Sequence, residues 1–206
     1  HDLPTFDVLC RMIREHHDHG RPVAVHCVTR TSLLLTGAAL DEVGVLAGDR
    51  IEHAAVVPTG YAEELARLGV VVVTQPVLVA DRGDDYLRDV DADDVGCLYP
   101  FRSLLAAGVR VASSSDAPFG SVDPWRGLAA AVGRRARSGA VVAGHEAVDG
   151  RTALRALLAP GAAPGGAVRE VRPGSTGWCL IEGDLDRAVE LPVSVEVRAT
   201  GWETDN

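Results

Sequence analysis

The chain of 206 residues lacks several features that would assign a protein to a functional class at once. It contains no lysine, so all 20 basic residues are arginine, and a net charge of −9 leaves no basic excess to bind nucleic acid. No apolar run approaches the roughly 20 residues that a membrane-spanning helix needs. The first residues also lack the basic and then apolar layout of a signal peptide. We therefore expect neither a nucleic-acid partner nor a membrane.

Cysteine and aromatic residues are also scarce. The four cysteines are scattered without a CxxC pair, which excludes a disulfide framework and favours the reducing cytoplasm. Aromatic residues make up only 4% of the chain, whereas hydrophobic residues make up 47%. These proportions predict a globular protein whose core consists mainly of valine, leucine and alanine.

Short apolar runs alternate with amphipathic segments along most of the chain. Strands are predicted over residues 23–26, 50–53, 70–74 and 109–113, and helices over 5–19, 31–43, 61–68, 98–107, 123–137 and 151–159. This alternation predicts an α/β fold with a parallel sheet and right-handed crossovers.

Two stretches depart from this alternation. Residues 76–96 contain seven aspartates and follow the end of a strand, which predicts a long lid or binding loop. After about residue 165, runs such as 178–182 and 193–198 predict antiparallel β structure. We therefore expect one unit over residues 1–165 and a β segment over residues 166–206.

Three of the predicted strands end in residues that bind divalent metals, namely His26, His53 and Asp116. In α/β barrels the carboxyl ends of the strands carry the chemistry, so these side chains are expected to converge. The structural alternatives are two half-buried histidines and an aspartate that caps a turn. Arg30, after the first strand, and Gln75, at the tip of the third, are candidate substrate-binding residues.

Four other features have simpler interpretations. The Glu-His-His-Asp-His run over residues 15–19 lies in the last turn of a helix, where cationic and solvated side chains are common. The acidic run over residues 89–94 lacks the glycine of a calcium-binding loop. Residues 113–115 are serines without a GxSxG elbow. Cys27 is expected to point away from His26, into the helix layer, because side chains alternate along a strand.

Several motifs occur in an order that resembles a known family. They are VAVHCVTR (23–30), RIEHAAVVP (50–58), VVTQP (72–76), PFRSLLAAGVRVASSSDAPFG (100–120) and DPWRGLAAAVGRR (123–135). Together they resemble the second half of the amidohydrolase superfamily, in particular the branch called amidohydrolase family 3.

The resemblance implies a fold and an activity. The chain would be the C-terminal half, strands five to eight, of a metal-dependent-hydrolase TIM (β/α)8 barrel, followed by a short segment of a small β-sandwich. His26, His53 and Asp116 would bind one or two divalent metals in a complete enzyme, with zinc expected, and Asp116 would also be the general base. Metal-activated water would then hydrolyse an amide or related C–N bond, or an ester.

The chain also departs from the family pattern. The His-x-His motif of strand one and the lysine of strand four have no counterpart, and a chain without lysine cannot supply a carboxylated lysine bridge. We therefore expect the partner to be an N-terminal half-barrel in the same or another chain, or a second copy in a homo-oligomer. The alternative hypothesis is a catalytically inactive half-barrel that serves as an assembly or scaffold module.

Overall fold

The structure is a computed structural model that describes residues 3–159, 163–167 and 177–202. The strands are β1 (Ala24–Cys27), β2 (Arg50–His53), β3 (Val71–Thr74), β4 (Arg110–Ser113), β5 (Gly177–Ile181) and β6 (Val197–Trp202). The helices are α1 (Phe6–His17), α2 (Arg30–Val43), α3 (Tyr61–Leu68), α4 (Val77–Asp89), α5 (Ala92–Val95), α6 (Arg102–Ala106), α7 (Pro124–Gly133), α8 (Gly150–Leu157) and α9 (Leu185–Glu190). Short 3-10 turns lie at Gly144–Glu146 and Pro192–Ser194.

The first four strands form one parallel sheet in the order β1-β2-β3-β4. Cys27 pairs with His53 and Thr74 pairs with Ser113, so neighbouring strands end nearly level at the same edge. The prediction of an α/β fold with a parallel sheet is confirmed. The assignment of these strands to positions five to eight of a barrel stays a prediction.

The two faces of the sheet differ because successive side chains point to opposite sides. One face packs on the helices and forms the main core, to which the strands contribute Cys27, Ile51, Val72 and Val111. The helices add apolar residues to the same core, among them Leu33, Leu40, Leu65, Leu104 and Leu128. The opposite face carries a smaller cluster of Val71, Val73 and Ala112, against which Ala159 packs.

Side-chain caps fix where several helices begin. Thr29 and Ser32 form a reciprocal capping box at the start of α2. Asp123 accepts a hydrogen bond from the backbone N–H of Trp125 and precedes Pro124, as the sequence predicts for the start of α7. These caps position the segments that follow the carboxyl ends of β1 and β4.

The prediction of a loop over residues 76–96 was wrong, because this segment forms α4 and α5. Helix α4 buries Val77, Leu78, Val79 and Gly83 and packs against α7, so it belongs to the core of the fold. Most of its aspartates are partly or fully exposed and form ion pairs such as Arg88 with Asp85, whereas the side chain of Asp81 is largely buried against Arg126 of α7. The sequence did not indicate this helix because the seven aspartates of the segment outnumber the residues that the helix buries.

The other predicted elements are present with adjusted ends. The helix predicted over residues 98–107 is the shorter α6, and the helix predicted to continue to residue 137 ends at Gly133, where Arg134 turns to a φ of 50°. Strands β5 and β6 are antiparallel, as predicted, but β6 begins only at Val197, after the turn at Pro192–Ser194, and α9 between the strands was not expected. The boundary near residue 165 and the β-sandwich stay predictions. In the described ranges no helix combines the length and apolarity needed to cross a membrane.

Candidate active site

The carboxyl edge of the parallel sheet brings two of the predicted site residues into contact. The imidazole rings of His26 on β1 and His53 on β2 lie edge to face, with centroids 4.5 Å apart and an interplanar angle of 77°. His53 is buried, whereas His26 is exposed. At the other end of the edge, Gln75 Nε2 donates to Ser114 Oγ at 3.0 Å and ties β3 to the segment after β4.

The backbone turns left-handed where two of these residues stand. His53 has a φ of 70°, Ala54 a φ of 46° and Asp116 a φ of 54°. For residues with a side chain this conformation costs about 1–3 kcal/mol each and persists only where the surroundings hold it. Here the Ala55 N–H donates to Cys27 O at 3.1 Å, which anchors the turn after His53 to the end of β1.

Burial and neighbouring charges set the protonation state of His53. Burial is the largest cause that lowers its pKa, and repulsion from a protonated His26 lowers it further. The negative charge of Asp116 acts in the opposite direction without reversing the change. His53 is therefore neutral at pH 7, and a neutral imidazole is the form that binds a metal ion.

Buried polar atoms without a hydrogen-bond partner concentrate at this edge. Within the described ranges there are four such atoms, and three of them are His53 Nδ1, Thr74 Oγ1 and Gln75 Oε1. The Gln75 side chain offsets a small part of the lowering of the His53 pKa. His53 Nδ1 and Gln75 Oε1 nevertheless have no partner at hydrogen-bonding geometry. Because buried polar atoms are usually paired, this concentration marks a place where a ligand would complete the bonding.

The residues present fit a divalent metal in part. Two adjacent imidazoles, one with a buried nitrogen that lacks a partner, are a suitable pair of metal ligands. The negative charge of Asp116 also acts on the pKa of His53. Within residues 3–159, 163–167 and 177–202, however, no three His, Cys, Asp or Glu side chains are grouped closely enough to hold one ion. The structure thus brings together the histidines but not the complete predicted triad.

The two candidate substrate-binding residues lie in different surroundings. Gln75 is buried at the sheet edge, where its amide also donates to Val73 O at 3.0 Å. Arg30 begins α2 and forms an ion pair with Asp94 of α5 across a cleft of about 800 Å³. Arg30 is therefore held toward the acidic helix, while Gln75 lies beside His53.

The structure also shows the surroundings of the residues that have a simpler interpretation. Cys27 does point into the helix layer, where its Sγ donates to Thr36 Oγ1 at 3.3 Å, and burial raises the pKa of its thiol to about 11. His17 pairs with the buried Asp49 at 3.0 Å, so this histidine stabilises the fold. The serine at position 114 accepts a hydrogen bond from Gln75, which is a supporting contact.

Sequence reasoning missed four polar residues near the site. The hydroxyl oxygens of Tyr86 and Tyr99 are 3.2 Å apart. Burial is the largest cause that raises the pKa of both phenols, and the charge of Asp116 adds a smaller increase. Arg134 and Glu146 are buried polar residues behind this region. Tyr86 was hidden inside the segment predicted to be a loop, and no local pattern indicates that an arginine or a glutamate is buried.

Ionisable groups at the carboxyl edge of a parallel sheet define a broad class, the α/β enzymes that build their active sites on strand ends. The particular family follows from comparison with known proteins. The model of the Amidohydrolase family matches residues 2–164, so the chain belongs to that family, as the sequence motifs predict.

Individual relatives agree with this assignment. The N-substituted formamide deformylase of Arthrobacter pascens is 37% identical over 108 residues, which are 52% of this chain and 20% of the deformylase. The crystal structure of an uncharacterized metal-dependent hydrolase from Pyrococcus horikoshii superposes with a TM-score of 0.66 and 26% identity, over 75% of this chain and 32% of that one.

A third protein shares the fold at lower identity. It is the atrazine chlorohydrolase of Arthrobacter aurescens in complex with zinc, with a TM-score of 0.57 and 17% identity, over 93% of this chain and 44% of that one. The chain therefore spans between a fifth and less than half of the length of these relatives.

Proposed function

We propose that this chain supplies part of the active site of a metal-dependent enzyme that hydrolyses an amide or a related C–N bond. The observation that carries the proposal is the His53 ring, which is buried, neutral, lacks a partner at Nδ1 and lies 4.5 Å from the ring of His26. Membership of the amidohydrolase family and the similarity to a metal-dependent hydrolase support the same reaction class.

In this proposal His26 and His53 hold the metal, with zinc expected, and Asp116 is a ligand and the general base. A bound divalent ion lowers the pKa of its water to about 7 and so supplies a nucleophile at neutral pH. Asp116 accepts a proton from the attacking water while the oxygen of this water adds to the carbonyl carbon of the substrate. When the C–N bond breaks, Asp116 returns this proton to the leaving nitrogen, so the products are a carboxylic acid and an amine.

We further propose that the remaining strands come from another polypeptide segment. Strands β1 and β4 are the outer strands of the described sheet, and unpaired outer strands are unfavourable in a soluble protein. The missing segment is an N-terminal half-barrel in the same or another chain, or a second copy of this chain. N-substituted formamides are the first substrates to test, because a relative that is 37% identical over 108 residues is named for them.

Metal content of the purified chain, measured by inductively coupled plasma mass spectrometry, tests the proposal directly. We expect about one zinc or similar ion per chain, and we expect its loss in His26→Ala and Asp116→Ala, because a site with few protein ligands tolerates no deletion. His145→Ala is the matched control, since this histidine has 65% of its side-chain surface exposed and belongs to a different part of the fold.

The outcomes separate the two hypotheses. A bound metal that is lost in the two site variants and kept in His145→Ala supports the hydrolase, and release of benzylamine from N-benzylformamide would extend it to the substrate class. A parent chain that is folded by circular dichroism and binds no metal would contradict the prediction that His26, His53 and Asp116 suffice to bind the ion. The missing strands, or the inactive assembly module, would then be the leading explanation, and either agrees with the incomplete grouping of ligands in the described residues.

A further inference from the structure

Two tyrosines lie beside the strand ends that carry the candidate site. Tyr99 is joined to the segment after His53, because its backbone N–H donates to Ala55 O at 2.8 Å. Tyr86 of α4 packs on Tyr99 with ring centroids 5.7 Å apart and hydroxyl oxygens 3.2 Å apart. Burial raises the pKa of both phenols, and the negative charge of Asp116 raises it further. Through the hydrogen bond from Tyr99 to Ala55, the pair adjoins the segment that follows His53.

Burial decides which hydroxyl donates in this pair. Tyr99 is only 3% exposed, and among the described residues its hydroxyl has no other hydrogen-bond partner than Tyr86. If Tyr86 donated, the Tyr99 proton would be buried without an acceptor, at a cost of about 1–3 kcal/mol. Tyr99 is therefore the donor and Tyr86 the acceptor, which leaves the proton of the half-buried Tyr86 free to bind a ligand.

The backbone around Tyr99 is held firmly enough to orient a neighbour. Its φ is 44°, and its carbonyl oxygen accepts a hydrogen bond from Arg134 at 3.0 Å. Arg134 is completely buried and also binds the carbonyl oxygen of Leu98. Tyr99 thus has both of its backbone polar groups bonded, and its ring has little freedom to move away from Tyr86.

Building on the function proposed above, we propose that Tyr86 donates a hydrogen bond to the carbonyl oxygen of the scissile amide and that Tyr99 orients it. This oxygen gains negative charge as water adds to the carbonyl carbon, and a fixed neutral donor stabilises that charge without moving during the reaction. Burial raises the pKa of Tyr86, so the phenol keeps its proton at neutral pH. Tyr86 would bind the substrate, and Tyr99 would be a positioning residue.

A double-mutant cycle in the full chain tests this assignment with N-benzylformamide as the substrate. We expect Tyr86→Phe to lower kcat by about 10- to 100-fold with little change in KM, because the bond strengthens in the transition state. Tyr99→Phe should lower kcat by a smaller factor, and the double variant should match Tyr86→Phe, because Tyr99 acts through Tyr86. Tyr61→Phe, on α3, is the control and should keep the parent kcat and KM.

Three kinetic results would overturn the inference. An active parent whose kcat is unchanged in Tyr86→Phe would refute it while leaving the proposed function in place. Multiplicative losses in the double variant would refute the positioning role of Tyr99. A parent chain without amide hydrolysis would contradict the expectation, on which the inference rests, that the residues of this chain suffice for the reaction.

A spectroscopic measurement checks the direction of the hydrogen bond independently of activity. The Raman doublet of tyrosine distinguishes a phenol that donates a strong hydrogen bond from one that accepts it. The spectrum of the parent minus that of Tyr99→Phe should show the donor pattern at pH 7, and zinc content should be the same in both. An acceptor pattern for Tyr99 would reverse the order of the pair and contradict the inference.

Discussion

Arg134 provides the strongest test of how the region behind the candidate site is held. Its guanidinium is completely buried and donates to three carbonyl oxygens, those of Leu98 at 2.7 Å, Tyr99 at 3.0 Å and Val142 at 3.1 Å. These contacts join the end of α7 to the segment that precedes α6. We predict that Arg134→Met lowers the free energy of unfolding by about 2–6 kcal/mol.

The magnitude follows from two opposing contributions. Hydrogen bonds to a charged group stabilise by about 1.5–3 kcal/mol each, so three of them contribute about 5–9 kcal/mol. Burial lowers the pKa of Arg134 from 12.5 to about 10, and at about 1.4 kcal/mol per pH unit this means that burial costs the charged form about 3 kcal/mol. Methionine fills a similar volume without charge, so the net loss is the difference between the two contributions.

Urea unfolding followed by circular dichroism at pH 7 measures this loss. With a slope of about 2 kcal/mol per molar urea, the midpoint should fall by about 1–3 M. Arg135→Met is the matched control, because this neighbour is exposed and binds one carbonyl oxygen, that of Gly139 at 2.9 Å. A midpoint for Arg134→Met equal to that of Arg135→Met would refute the view that the buried guanidinium stabilises the fold.

Three further predictions concern other parts of the chain. Iodoacetamide at pH 8 should modify the exposed Cys179 and spare Cys27, whose thiol pKa burial raises to about 11; rapid modification of Cys27, detected by peptide mass spectrometry, would contradict this. Burial opposes ionisation of Asp81, but hydrogen bonds to its carboxylate outweigh burial and place its pKa below the ordinary value. The stability that Asp81 contributes is therefore present above the unfolded pKa of about 3.9 and is lost as the pH falls through the folded value. Asp81→Asn should weaken the loss of unfolding free energy below pH 4 in urea titrations, and an unchanged dependence would count against the assignment. Gly120→Ala would place a Cβ 2.2 Å from a backbone oxygen and should cost about 1–3 kcal/mol. Gly133→Ala, which has open space, should keep the parent Tm in calorimetry, and equal Tm values for the two variants would disprove the clash.

The alternation of strands and helices was predictable because it depends on local patterns. Apolar β-branched runs give β1 to β4, and caps such as Asp123 with Pro124 fix where helices begin. Helix α4 was not predictable in the same way, since its burial depends on contact with α7, more than 40 residues later in the sequence. The composition of an acidic segment predicts a solvent-exposed loop, and only the contact with a partner helix shows that one of its faces is buried.

The candidate site was predictable where a metal-binding residue ends an apolar run. His26 and His53 follow from the strand pattern alone, and the structure brings their rings together. Tyr86, Tyr99 and Arg134 could not be found this way, because their relation to the site depends on contacts between distant segments. A sequence pattern indicates which residue ends a strand, but not which side chains from other elements border it.

The two sides of the candidate site differ in how firmly they are held, and this difference bears on how a metal would bind. The turn after His53 is fixed by the hydrogen bonds of Ala55 to Cys27 and Tyr99, so the imidazole is placed before any ligand arrives. The backbone carbonyl oxygen of Asp116 accepts hydrogen bonds from the N–H groups of Phe119 at 2.8 Å and Gly120 at 3.2 Å, but among the described residues no group donates to its carboxylate. In the proposed site the His53 imidazole would therefore be held in place, whereas the Asp116 carboxylate would be able to adjust to an ion. The incomplete grouping of ligands is compatible with the proposed roles, because no hydrogen bond from the described residues holds the Asp116 carboxylate away from the histidines.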